Sequence, residues 1–140
     1  MKLFLNDLAV EIKESNLGIL IGGICLSILL YADDIVLIAP SAEHLQNMLN
    51  ILERWCRKWG MSINAKKTQI LHVRNHQRPR SQFKFTFSDT ELQYTDCYKY
   101  LGFLVHEHLN NDHHASSLAT AASRSFSRIT KPFVNRMYTP

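Results

Sequence analysis

The chain has 140 residues, 46% of them hydrophobic, enough for one globular unit with a buried core, and its net charge of +4 suits a polyanionic partner. Its three cysteines, Cys25, Cys56 and Cys97, form no CxxC pair, which disfavours both a disulfide framework and a zinc ribbon and leaves a reducing compartment as the default. The opening "MKLFLNDLAVEIKESN" mixes both charge signs without an apolar core, so neither a secretory nor a mitochondrial leader is expected.

Leu5, Leu8 and Ile12 recur at helical spacing, and Asn16 with Gly18 supplies a stop, so the chain is expected to begin with a short helix. The uncharged run from Leu17 to Ala32 approaches the length of a membrane-spanning helix. Gly22-Gly23 divides it, however, and two glycines between apolar runs signal a two-residue hairpin turn, so strands are expected and no membrane partner. A second strand pair turns between Tyr31 and Asp34.

That turn holds two adjacent aspartates, Asp33 and Asp34, between apolar strands. One Asp is an ordinary turn former. Two like charges side by side repel and add nothing to a turn, whereas a divalent cation such as magnesium, which takes hard oxygen ligands, would draw them together.

The segment from Pro40 to Gly60 carries the clearest helical pattern: Ser41 as N-cap, Glu43 in the first turn, and a stripe of Leu45, Met48, Leu49, Leu52, Trp55 and Trp59, with Gly60 as the stop. This helix is expected to lie across one face of a sheet, with both tryptophans in the core. "SINAKKTQILHV" should end in a strand, and Phe83, Phe85 and Phe87 alternate with polar residues at the strand period before Ser88-Asp89-Thr90 turns the chain back. "YKYLGFLV" reads as one further strand, and Leu118, Ala122, Phe126, Ile129 and Phe133 share a helical face in the tail. Together these elements make an α+β fold.

In this order the elements resemble the reverse transcriptase of non-LTR (LINE-type) retrotransposons over nearly the whole chain. "LYADDIVLIA" is similar to the family's polymerase motif C, "WGMSINAKKTQILHV" to its motif D, "YKYLGFLV" to the motif E strand entering the thumb, and "MKLFLNDLAVEI" to the end of the helix after motif B. The resemblance implies an antiparallel palm-type sheet with packed helices over residues 1–105, followed by a partial helical thumb over residues 106–140. It implies two-metal nucleotidyl transfer with Mg2+ or Mn2+, an RNA template, a DNA primer and deoxynucleoside triphosphates, in a nuclear or cytoplasmic, intracellular setting.

Carried over residue by residue, the resemblance makes Asp33 and Asp34 metal-binding and catalytic, with Asp33 the firmer ligand, and sets Tyr31 near the primer end. Lys67 would approach the triphosphate as a proton donor, with a solvated lysine the other reading; Lys66 would face solvent or phosphate. Arg74, Arg78 and Arg80 are either a solvated loop or phosphate contacts, and Arg124, Arg128 and Lys131 either a solvent face or one turned to template-primer. The paired histidines, His72/His76, His106/His108 and His113/His114, have no recognisable zinc spacing.

The family's third aspartate, in motif A, and its fingers have no counterpart in this sequence. Met1 is therefore expected to be an internal methionine of a longer ancestral polyprotein, with Pro140 falling early in the thumb. The alternative to a polymerase fragment is a noncatalytic relic that at most binds nucleic acid.

Overall fold

The computed structural model describes residues 2–109. The expected tail helix, with Arg124, Arg128 and Lys131, lies outside the described residues. The chain divides into two compact units: residues 1–70 with 81–94, and residues 71–80 with 95–140.

The first unit begins with α1 (Lys2–Glu14). Leu8 and Ile12, one turn apart, are both fully buried. Asn16 takes a left-handed φ of 53°, which ends the helix as its short polar side chain allows. Two hairpins follow: β1 (Ile19–Ile21) with β2 (Ile24–Leu26), and β3 (Ile28–Tyr31) with β4 (Asp34–Leu37). The uncharged run is thus broken into three strands, and no described helix is long and apolar enough to cross a membrane. Gly18 fits closely here, since a Cβ on it would lie 2.5 Å from the Leu26 carbonyl oxygen.

α2 (Ala42–Trp59) runs as its caps dictate. The Ser41 hydroxyl accepts from the His44 amide, and Gly60 closes the helix at φ 62°, its amide donating back to the Arg57 carbonyl. Met48, Leu49, Leu52, Trp55 and Cys56 form its buried stripe. Each such fully buried apolar side chain contributes about 1.5–3 kcal/mol. The stripe shares one core with Leu8, Ile12, Ile28, Ile70, Phe85, Phe87 and Leu92.

Four expectations need correction. First, among the described residues the strands form five two-stranded pairs, so there is no single sheet for α2 to lie across. It packs instead on α1 and on β6 (Thr86–Phe87). The Gln46 side chain makes the second of these contacts specific: its amide nitrogen donates to the Thr86 carbonyl (3.0 Å) while its amide oxygen accepts from the Thr86 N–H (3.0 Å), completing a backbone that lacks another strand there.

Second, Trp59 is 39% exposed while Trp55 is 3% exposed. The helix ends at Trp59, one turn beyond the last core neighbours. Third, the phenylalanine alternation is real in burial, with Phe85 and Phe87 inside, but the paired strand is only Thr86–Phe87 against β7 (Thr90–Glu91), across a turn at Ser88 and Asp89, both at positive φ, with one further bond from the Leu92 N–H to the Phe85 carbonyl (2.8 Å). Strand β5 (Gln69–Leu71) pairs with β8 (Gln93–Thr95).

Fourth, "YKYLGFLV" lies within a hairpin, not a single strand. In the second unit β9 (Cys97–Tyr100) pairs antiparallel with β10 (Phe103–His106), and Leu101 and Gly102 turn between them at φ 50° and 83°. Two consecutive positive φ values match the twist of a two-residue hairpin, and Gly102 is the residue that makes the second one inexpensive.

Candidate metal and nucleic-acid site

The β3–β4 register pairs Ile28 with Leu37, Leu29 with Val36, Leu30 with Ile35, and Tyr31 with Asp34. Ile28 is buried, and Leu30, Ile35 and Leu37 pack against the core. The hairpin is therefore anchored by its apolar residues. Its tip, Tyr31-Ala32-Asp33-Asp34, is exposed throughout. Ala32 turns the chain at φ 53°, a left-handed conformation that costs a residue with a Cβ roughly 1 kcal/mol. No described Lys, Arg or His forms an ion pair with either aspartate.

Asp33 and Asp34 thus present anionic hard-oxygen donors of the kind magnesium or manganese takes. No described group of three or more His, Cys, Asp or Glu side chains could hold a metal ion, and the hairpin tip brings only two carboxylates together.

Lys66 and Lys67 sit on a turn built by Asn64. The Asn64 carbonyl accepts from the amides of Lys67 (3.0 Å) and Thr68 (3.1 Å), and its side-chain oxygen accepts from the Lys66 amide (3.1 Å). Asparagine competes for backbone in this way at turns, which holds both lysines outside regular structure. Both are exposed.

In the second unit the arginines are placed differently from one another. Arg74 is largely covered, donating from Nη1 to the Arg78 carbonyl (2.8 Å) and from Nη2 to Glu107 (2.9 Å). Arg80 donates to the other Glu107 oxygen and to Asp96. Glu107 is 7% exposed, and its hydrogen bond from Arg80 holds its carboxyl below the ordinary glutamate range. The Arg80 hydrogen bond also lowers Asp96, and the Arg80 guanidinium is itself held protonated more firmly, first by Glu107. The exposed side chain of this group is Arg78.

The histidines complete that network. His108 Nδ1 donates to the Arg74 carbonyl (2.9 Å), its backbone N–H donates to His106 Nδ1 (3.2 Å), and its ring lies 3.7 Å from that of His76, centroid to centroid. Glu107 is the residue that sequence reading missed. A lone acid after the "FLVH" strand has no local signal, because its partners lie 27 and 33 residues away.

The family model described as reverse transcriptase (RNA-dependent DNA polymerase) matches residues 1–105. The chain is 37% identical over 90 residues to an uncharacterized transposon-derived protein of Caenorhabditis elegans, covering 64% of this chain and 32% of that one. It is 34% identical over 108 residues to the RNA-directed DNA polymerase from the mobile element jockey of Drosophila funebris, covering 72% of this chain and 11% of that one. The chain therefore spans about a third of one relative and about a ninth of the other. No solved structure matches it.

Proposed function

This chain belongs to the reverse transcriptase (RNA-dependent DNA polymerase) family, and from that premise we propose that it is the motif C to early-thumb portion of a non-LTR retrotransposon polymerase, with Asp33 and Asp34 as metal-binding carboxylates. The family implies a nucleic-acid template, nucleotide substrates and dependence on a divalent metal. The observation that carries the finer reading is the β3–β4 tip, where two adjacent aspartates stand exposed on a hairpin anchored by core residues.

In this reading residues 1–105 form part of the palm and residues 106–140 begin the thumb. Divalent metals, when bound, would activate the primer 3′-hydroxyl and stabilise the leaving pyrophosphate. The chain's own contribution is positional. Asp33 and Asp34 hold negative charge at the hairpin tip, Tyr31 offers an exposed aromatic ring beside them for the primer end, and Lys67 holds a proton for the triphosphate from the Asn64 turn. Lys66 and Arg78 contribute exposed positive charge for phosphates, and Arg124 and Arg128 are assigned the same role; Arg74 reaches a phosphate only by giving up Glu107.

The test restores the rest of the site. Fusing the upstream polypeptide of the jockey polymerase ahead of Met1 should yield RNA-templated DNA synthesis. In that chimera Asp33→Asn, which keeps the size of the side chain and removes its charge, should lower the rate at least about a hundredfold. Lys67→Ala should slow it less, because water replaces a proton donor in part. An Asp33→Asn chimera that is folded and as active as its parent would reduce the hairpin tip to a polar turn.

A further inference from the structure

Charge along the chain is distributed unevenly. From Arg54 to Ser88 it carries nine of its 16 Lys and Arg and none of its 12 Asp and Glu. Several of the nine are compensated by acids outside that span: Arg54 by Glu11, Arg57 by Glu53, Arg74 and Arg80 by Glu107, and Lys84 by Glu91. Lys58, Lys66 and Lys67 have no ion pair among the described residues, and all three are exposed.

Trp59 lies in the same stretch. A tryptophan on an amphipathic helix normally ends in the core, as Trp55 does at 3% exposure, but Trp59 is 39% exposed and is followed by Met61 at 40%. The Lys58 ammonium stands 5.4 Å from the Trp59 ring centroid. An exposed indole with a cation over its ring, followed in the sequence by two more lysines without an ion pair among the described residues, combines the two elements that bind an unpaired strand: an aromatic ring for a base and positive charge for its phosphates.

We infer that Trp59 and Lys58 form a stacking platform for single-stranded RNA, with the exposed Lys66 on the Asn64 turn as a further phosphate contact. The inference rests on the polymerase reading for the choice of RNA, the template class of the family. Unpaired RNA is favoured over a duplex because the bases of a duplex are already stacked on one another and offer no free face. A protein partner is disfavoured by the charge, since an ammonium with no ion pair among the described residues, set on an exposed aromatic ring, suits a polyanion.

The experiment uses the 140-residue chain, a fluorescently labelled 12-nucleotide oligo(A) RNA, and buffer without divalent metal or nucleotide. Titrating unlabelled RNA should quench tryptophan emission, and quenching should vanish in Trp59→Phe, in which the buried Trp55 is the remaining tryptophan. By anisotropy of the labelled RNA, Trp59→Ala should weaken binding roughly tenfold while Trp59→Phe retains most of it. Lys58→Ala should lower the slope of log affinity against log salt by about 0.7. Equal quenching by duplex RNA, wild-type affinity in Trp59→Ala, or no binding at all would each overturn the platform. Because the assay contains no metal, loss of the Asp33-Asp34 site leaves its result unchanged. Conversely, an active chimera whose template affinity ignores Trp59→Ala would remove the platform and keep the polymerase.

Discussion

At the scale of single residues, charge and backbone conformation make separate predictions. Glu107 is covered and receives hydrogen bonds from both Arg74 and Arg80, so its ionised form is favoured in the folded state. A carboxyl held low by folding stabilises the native state at pH values above its unfolded pKa, and that contribution is lost as the pH falls through the lower, folded value. Glu107→Gln should therefore lower the urea midpoint at pH 7, and the gap from wild type should close progressively as the pH drops below the ordinary glutamate range. A gap independent of pH would assign the loss to shape and not to charge. Ala32 gives the opposite sign. Its φ of 53° strains a residue with a Cβ and not glycine, so Ala32→Gly should be neutral to stabilising by up to about 1 kcal/mol in urea melts, where a loop glycine ordinarily costs stability. Asn16 takes the same conformation at the end of α1 without comparable strain, because its side chain can bond locally.

Among the elements, the two helices were legible and some of the strands were not. Helix periodicity and caps are local properties: Leu8 and Ile12 repeat one turn apart, and Ser41 and Gly60 bracket α2 on their own chemistry. The hairpins at Gly22-Gly23 and at the aspartates were legible for the same reason, since a turn is set by its own residues. "YKYLGFLV" was misread because apolar residues run through its turn, leaving Gly102 as the one local sign of reversal. The extent of the phenylalanine strand was misread because alternation reports which side chains are buried, not which backbone groups are bonded to a neighbour; beside β6, the Gln46 side chain takes over that bonding. Close packing of elements also yields a prediction. A Cβ at Gly18 would press on the Leu26 carbonyl and on Ser27, both backbone-linked and unable to swing aside, so Gly18→Ala should cost about 1–3 kcal/mol by chemical denaturation. The same change at Gly22 meets no atom within 4 Å, so its cost should come from its positive φ alone and be the smaller.

On the scale of the whole molecule, the described residues bring two carboxylates to the candidate metal site and no third metal-binding group to complete it. The 140-residue protein should accordingly extend no primer on an RNA template with magnesium or manganese, while the jockey chimera should. Extension by the chain alone, exceeding that of its Asp33→Ala variant, would show that two carboxylates suffice. What the sequence determined by itself was whatever depends on neighbours along the chain: both helices, the turn that exposes Asp33 and Asp34, and, through the order of motifs, membership of the reverse transcriptase family. Tertiary structure decided what depends on residues far apart. It turned α2 onto α1 and β6, placed Trp55 inside and Trp59 outside on the same helical stripe, and paired Arg74 and Arg80 with Glu107 while leaving Lys58, Lys66, Lys67 and Arg78 exposed. The physical reason is common to all of these. A helix period or a turn is an energy summed over a few adjacent residues, whereas burial and charge pairing are energies between segments, and their outcome exists only once the chain has brought those segments together.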